Sequence, residues 1–142
     1  MEFAQNGPLL DLVMSLHGKG EGVSEELAAF WFKRILEGAL FMMHSRGFAH
    51  LDLKHDNILL DYANQPKLAD FGFTRHTDGQ FVDLKKYTKE YAAPEVLKYS
   101  GPYDGMKADI YCLGIVFYST LTCKYPDRQN VATRWSKSNF ST

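Results

Sequence analysis

Apolar side chains recur at helical spacing in two long stretches of the chain. Residues 25–45 carry them around much of the circumference, which predicts a buried helix that Ser24 caps and Gly47 ends. One predicted apolar face consists of Leu27, Phe30, Trp31, Ile35, Gly38 and Met42. Residues 109–122 are apolar on nearly every side and predict a central core helix with Asp109 as its N-cap. Fourteen residues are too few to cross a membrane.

Shorter patterns predict the smaller elements. Pro8 suits the first position of a helix that reaches about Leu16. Two brief apolar runs, residues 58–61 and 66–69, flank a polar turn and predict a β-hairpin. Residues 73–92 are polar and show no sustained period, which predicts a long surface loop.

Composition and charge narrow the classes of partner. A chain of 142 residues with 45% hydrophobic and 23% charged residues predicts one folded domain. Its net charge of −1 favours neither nucleic acid nor a membrane as partner, and it predicts no particular oligomeric state. Cys112 and Cys123 provide neither a disulfide framework nor zinc spacing. The chain also has no signal-peptide pattern and no membrane-length apolar run, so we expect a cytoplasmic or nuclear protein.

The strongest chemical signal is the stretch from His50 to Asn57, in which six of eight residues are polar or charged. Asp52, Lys54 and Asn57 supply a carboxylate, an ammonium group and an amide within a few positions. Such a set suits phosphoryl transfer, in which the protein positions groups and neutralises charge. The predicted hairpin would bring Asn57 and Asp70 to the same edge, where their oxygens could hold Mg²⁺ together with substrate phosphates.

Several motifs in a fixed order add a family resemblance. Over about residues 1–125 the chain resembles the large lobe of eukaryotic protein kinases of the serine/threonine type. Leu51 departs from that pattern, because the family usually has Arg at this position. The motifs that carry the resemblance are Asp52 with Lys54 and Asn57, Asp70-Phe71-Gly72, Thr88 with Tyr91, Ala93-Pro94-Glu95, and Asp109 with Gly114.

The resemblance implies an incomplete protein kinase-like fold. Its mainly α-helical large lobe would comprise residues 8–125, with a small β-hairpin that carries the catalytic loop. Residues 1–7 resemble the hinge between the two lobes, and residues 126–142 form a poorly defined C-terminal stretch. We expect the small N-terminal lobe and the last C-terminal helices to be absent from these 142 residues, and the chain alone to be inactive.

The resemblance also implies roles for individual residues. Asp52 would accept or orient the proton of a serine or threonine hydroxyl on a protein substrate, Lys54 would approach the transferring phosphate, and Thr88 would brace Asp52. Asn57 and Asp70 would hold Mg²⁺.

The same resemblance implies contacts with ATP. The backbone of Glu2 and Ala4 would bind adenine, with Leu59 beneath the ring. The phosphates would lie against the catalytic loop and the residues that follow the hairpin, namely Lys54, Asn57 and Asp70.

Two other interpretations compete with an enzyme. A non-catalytic, kinase-like binding module would keep the lobe surface and dock partners without turnover, and Mg²⁺ and ATP titration of the chain would distinguish it. An unrelated soluble fold with chance motifs is the other. Leu51 cannot pair with a phosphorylated activation loop as Arg would. We therefore predict that the activity of a kinase with this loop depends little on that contact.

Overall fold

Helices and two small antiparallel sheets form the part of the chain that the structure describes. A computed structural model describes residues 4–18, 23–77 and 81–127. Its helices and strands are α1 (Leu9–Gly18), α2 (Glu25–Leu40), β1 (Phe48–Ala49), β2 (Ile58–Leu60), β3 (Pro66–Leu68), β4 (Arg75–His76), α3 (Pro94–Leu97) and α4 (Gly105–Thr122). Within these ranges, no helix has the length and apolar character needed to cross a lipid bilayer.

Helix α2 begins and ends as the sequence predicts, but its buried face differs in part from the predicted one. The Ser24 hydroxyl accepts a hydrogen bond from the Leu27 N–H, and a π-helical turn continues the helix from Phe41 to Ser45. Gly47 then adopts a positive φ of 67°, which ends the helical path. The buried residues of the helix are Ala28, Trp31, Ile35 and Ala39.

The predicted apolar face of α2 was wrong at its N-terminal end. Leu27 and Phe30 are 38% and 37% exposed, whereas the small side chains of Ala28 and Ala39 are buried. Large apolar side chains dominate a hydrophobic pattern, but alanines allow the closest approach of a neighbouring element. Helix α2 packs here against α4 and β3.

Helix α4 starts earlier than its apolar pattern indicates, and Asp109 is not its cap. Asp104 is the N-cap, and its carboxylate accepts a hydrogen bond from the Lys107 N–H at 3.1 Å. Asp109 lies inside the helix and is 1% exposed. Ile110 and Tyr118 are 45% and 44% exposed. The described part of the chain therefore does not enclose the helix on every side, as its apolar pattern predicts.

The β-hairpin forms where the two short apolar runs predict it. Ile58 pairs with Leu68 in an antiparallel ladder between β2 and β3. The Asp61 carboxylate closes the turn, because it accepts hydrogen bonds from the N–H groups of Ala63 and Gln65, both at 2.9 Å. The turn is tied to α2 by the Trp31 indole N–H, which donates to a backbone carbonyl in the turn.

A second sheet appears within the segment predicted to be a loop. Strand β4 pairs antiparallel with β1, with Phe48 opposite His76 and Ala49 opposite Arg75. Further along, Val82 and Tyr103 form an isolated bridge. Two-residue strands are too short to show an alternating pattern, so the sequence does not reveal them. The pairing fixes the segment after Asp70-Phe71-Gly72 beside the strand that leads into His50.

Two apolar clusters enclose this arrangement. The larger one lies between α1, α2, the hairpin and α4; its fully buried members include Leu9, Trp31, Leu53, Ile58, Leu60, Leu113 and Val116. The smaller one joins the segment after β4 to α3 and α4 and consists of Val82, Ala92, Ala93, Val96, Tyr103 and Ala108, with Leu51 packed against it. The stretch from His50 to Asn57 therefore has apolar packing on both sides.

We predict opposite effects on stability from adding a methyl group at two glycines of α4. At Gly105 a Cβ atom would lie 2.9 Å from Leu51 Cδ2 and 3.1 Å from Ala49 Cβ, so Gly105→Ala should lower the free energy of unfolding by about 1 to 3 kcal/mol. At Gly114 the space within 4 Å is open, so Gly114→Ala should raise it by about 0.5 to 1 kcal/mol. Urea unfolding followed by circular dichroism measures both, and equal stability of the two variants would contradict the close packing at Gly105.

Candidate active site

The loop that begins at His50 is fixed to α4 through one buried carboxylate. Asp109 accepts hydrogen bonds from the N–H groups of His50, at 2.6 Å, and Leu51, at 2.8 Å. Leu51 has a positive φ of 68°, which a branched residue keeps only when its surroundings hold it there. Burial raises the pKa of Asp109 to about 7, and the two N–H donors oppose that shift.

His50 connects this loop to the end of the hairpin. Its Nε2 lies 2.9 Å from the carbonyl oxygen of Ala69, and because a carbonyl can only accept, Nε2 is the protonated nitrogen. Its Nδ1 can then accept from the Asp52 N–H at 3.4 Å. Burial lowers the pKa of His50, which favours this neutral ring. The ring centroids of His50 and Phe71 are 5.1 Å apart.

Four of the predicted site residues meet around the Asp52 carboxylate. Lys54 Nζ lies 2.9 Å from Asp52 Oδ2. Thr88 Oγ1 donates to Asp52 Oδ1 at 3.1 Å, and Lys54 Nζ donates to the same threonine oxygen at 3.3 Å. Asn57 Nδ2 donates to Asp52 Oδ2 at 2.9 Å and to the Asp52 carbonyl at 2.8 Å. The carboxylate is thereby held on both oxygens by groups up to 36 residues away in sequence.

Asn57 and Asp70 lie at the same end of the hairpin. Strand β2 starts directly after Asn57, and the Ala69 N–H donates to the Asn57 carbonyl at 2.9 Å. Asp70 follows with a positive φ of 54° and accepts from the Gly72 N–H through Oδ1. Because the amide nitrogen of Asn57 faces Asp52, its Oδ1 is the atom that remains to bind a cation.

The donor set at this end of the hairpin fits Mg²⁺. An amide oxygen and a carboxylate are hard ligands of the kind this ion takes, with its other positions left to water and phosphate. Among residues 4–18, 23–77 and 81–127, no group of three or more His, Cys, Asp or Glu side chains could enclose a metal by itself.

The expected adenine contacts are only partly covered by the structure. Glu2 lies outside the described residues. Ala4 and Leu59 are both half-buried, and the segment after Ala4 runs beside β2, since the Asn6 N–H donates to the Leu60 carbonyl and the Leu60 N–H to the Gly7 carbonyl. The segment that contains Ala4 therefore lies next to the strand that contains Leu59.

The contacts of two further polar residues with this loop were not predicted from the sequence. Asp109 gave a usable signal, because a carboxylate within an apolar run requires buried donors, yet a cap position explained it more simply. His55, which is 2% exposed, gave none, because it sits in a polar stretch and its partners are distant in sequence.

Known proteins resemble this chain in sequence. A family model described as the protein kinase domain matches residues 1–141. The serine/threonine-protein kinase chk1 of Schizosaccharomyces pombe is 38% identical over 130 residues, which cover 89% of this chain and 25% of that protein. The CBL-interacting serine/threonine-protein kinase 20 of Arabidopsis thaliana is 36% identical over 142 residues, which cover 96% of this chain and 31% of that protein.

The chain therefore belongs to the protein kinase family. The predicted resemblance to this family is confirmed, as is its relation to kinases of the serine/threonine type. The chain spans a third or less of the length of these two curated relatives.

Loss of the Asp109 carboxylate should destabilise the fold. Asp109→Ala would leave two buried N–H groups without their acceptor, so we expect the free energy of unfolding to fall by about 2 to 5 kcal/mol. Asp104→Asn is the matched control, because asparagine caps a helix as well as aspartate does and little change is expected. Urea unfolding at constant pH measures both variants.

Comparison of the wild-type protein with Asp109→Ala also tests the pKa of Asp109. Since the folded-state pKa is raised to about 7, the native protein keeps a proton that the unfolded chain loses from about pH 4 upward. The stability of the wild-type protein relative to Asp109→Ala should therefore shrink between about pH 4 and pH 7 and stay level above that range. A difference that stays level over this interval would show that the carboxylate is ionised throughout and would contradict the raised pKa.

Proposed function

We propose that this chain carries the catalytic loop and metal-binding residues of an ATP- and Mg²⁺-dependent protein serine/threonine kinase. The observation that carries the proposal is the contact set around Asp52, which unites a carboxylate, an ammonium group, an amide and a hydroxyl. Family membership supports it, and the relatives compared above are named serine/threonine-protein kinases. In this proposal residues 8–125 form the large lobe and residues 1–7 the hinge.

Asp52 is the group that would receive or orient the proton of the acceptor hydroxyl. Its Oδ1 is held by the Thr88 hydroxyl and its Oδ2 by Asn57 and Lys54, so the carboxylate cannot rotate freely. Positioning of this kind accounts for much of the catalysis in phosphoryl transfer, because the protein forms no bond to the phosphorus.

Lys54 would neutralise charge on the transferring phosphoryl group. It is half-buried and already faces Asp52 and Thr88, so its ammonium group lies between the proposed base and the hydroxyl that holds it. A cation fixed in this way stabilises the charge that develops in the transition state without having to reorganise.

Asn57 and Asp70 would hold Mg²⁺, and the segment of residues 1–7 with Leu59 would hold adenine. When bound, the ion would neutralise charge on the ATP phosphates. We expect activity from a protein that joins this lobe to a glycine-rich loop and an ATP-anchoring lysine, and none from residues 1–142 alone.

The acceptor protein would approach through a cleft beside Asp52. This cleft is shallow and is bordered by Asp52, Lys86, Tyr87 and Thr88. Beneath it lie the buried apolar residues Ala92, Ala93, Val96 and Ala108. We expect the serine or threonine side chain of a protein substrate to reach Asp52 from this side, while the rest of the substrate stays on the surface.

Asp52→Asn should abolish phosphoryl transfer while the fold persists. In the native protein that contains this chain, expressed from its complete coding sequence, we expect a fall in kcat of about 10² to 10⁴ with little change in the KM for ATP. Asp56→Asn is the matched control, because Asp56 is exposed in the same loop and should leave kcat unchanged. Transfer of labelled phosphate from ATP to a serine/threonine peptide library measures both.

Two results would overturn this proposal. Full activity of Asp52→Asn would contradict the role of Asp52. A native protein that binds Mg²⁺ and ATP but transfers no phosphate would instead be a kinase-like binding module.

Phosphorylation between Asp70-Phe71-Gly72 and Ala93-Pro94-Glu95 should have little effect on the rate. Leu51 offers no cation to a phosphate and packs instead against the apolar cluster around Val82 and Tyr103. Thr77 is buried and donates to the Gly47 carbonyl, so it is also poorly accessible. We expect phosphatase-treated and untreated native protein to share the same kcat, and a large activation upon phosphorylation of Thr74, Thr77 or Thr88 would contradict this. Leu51→Arg should destabilise the protein, because it would place a charge against that cluster.

A further inference from the structure

A buried chain of side-chain hydrogen bonds runs behind the candidate active site. His55 follows Lys54 directly and lies in a short 3₁₀ helix that ends at Asn57. Its Nδ1 is 2.9 Å from the Tyr91 hydroxyl, and its Nε2 is 2.9 Å from the Thr120 hydroxyl on α4. The loop, the segment before α3 and the C-terminal half of α4 thus meet at one imidazole.

One arrangement of protons satisfies every member of this chain. The Thr120 hydroxyl donates to the Val116 carbonyl at 2.8 Å, so its oxygen accepts from Nε2–H of His55. In a neutral ring Nδ1 is then an acceptor for the Tyr91 hydroxyl, which in turn accepts from the Tyr125 hydroxyl at 3.0 Å.

Tyr91 belongs to the same turn as Thr88. The N–H groups of Tyr91 and Ala92 both donate to the Thr88 carbonyl at 3.0 Å. The Cys112 thiol donates to the Tyr91 carbonyl, which fixes the other end of the turn to α4. The side chain of Tyr91 leaves this turn toward His55, with the two ring centroids 5.8 Å apart, and its hydroxyl meets His55 and Tyr125.

We propose that His55 is a positioning residue, which holds Tyr91 and thereby the turn that presents Thr88 to the proposed base. This proposal rests on the proposed function of the site. The chain of contacts begins and ends on one loop, because His55 lies three residues after Asp52 and Thr88 donates to Asp52. A buried histidine that served only packing would need no hydrogen bonds that lead through Tyr91 and Thr88 back to Asp52, and an apolar side chain could fill its volume.

The kinetic test uses variants that break single bonds in the native protein. Tyr91→Phe removes one hydroxyl, and His55→Leu removes both ring contacts; each should lower kcat about 2- to 10-fold and leave the KM for ATP unchanged. His55→Asn should recover part of the loss, since its amide oxygen can accept from Tyr91. In the double variant the losses should not multiply, because both changes break the same link. His17→Asn and Tyr62→Phe alter exposed residues of the same types and should match wild type.

A spectroscopic test does not depend on activity. The ¹⁵N shifts of the His55 ring should show an unprotonated Nδ1, and Tyr91→Phe should shift the methyl resonance of Thr88. If the native protein has no kinase activity, the proposed function is wrong. The chemical shifts still test whether His55 acts on Thr88 through Tyr91. The proposal is overturned by a protonated Nδ1, by a Thr88 methyl resonance that does not move, or by losses that multiply in the double variant. If His55→Leu fails to fold, Tyr91→Phe and His55→Asn still give these outcomes.

Discussion

The candidate site depends on the two hydrogen bonds that Asp109 accepts from consecutive backbone N–H groups. These bonds hold Leu51 in a left-handed conformation, and they fix the path of the chain just before Asp52. Such a conformation costs on the order of 1 kcal/mol or more and persists only where the surroundings hold it. Here the surroundings are the buried carboxylate on one side and the apolar cluster that receives the Leu51 side chain on the other. The loop is in effect attached to α4, and the polar network around Asp52 is built on that attachment.

The features that could be predicted from the sequence are decided by residues close together in the chain. A cap at Ser24 and a hairpin over residues 58–68 each follow from a few neighbouring positions. Because a hairpin returns to its starting edge, the same local pattern brings Asn57 and Asp70 to one end. The position of Asn57 and Asp70 at one end of the hairpin could therefore be inferred before any tertiary contact was known.

The features that could not be predicted depend on distant partners. The bonds from His50 to Asp109 and from His55 to Thr120 span 59 and 65 residues, and the sequence does not state which buried donor meets which acceptor. The sequence predicts a helix cap at Asp109, because that role needs only local neighbours. Its partners in the structure are the N–H groups of His50 and Leu51, which lie outside the helix. The pairing of β1 with β4 could not be predicted either, because strands of two residues are too short to show an alternating pattern.

These long separations also bear on the synthesis of the protein. A ribosome delivers the chain from its N-terminus, and a domain's non-local contacts must wait until both partners have emerged. Helix α2 and the hairpin draw on residues already made, but the loop of Asp52 waits for Thr88, then for Asp109, and finally for Thr120. Until α4 has left the exit tunnel, the proposed catalytic carboxylate of a nascent chain has neither its anchor nor its full set of neighbours. Asp52 is thus translated before Thr88, Asp109 and Thr120, the residues that position its loop.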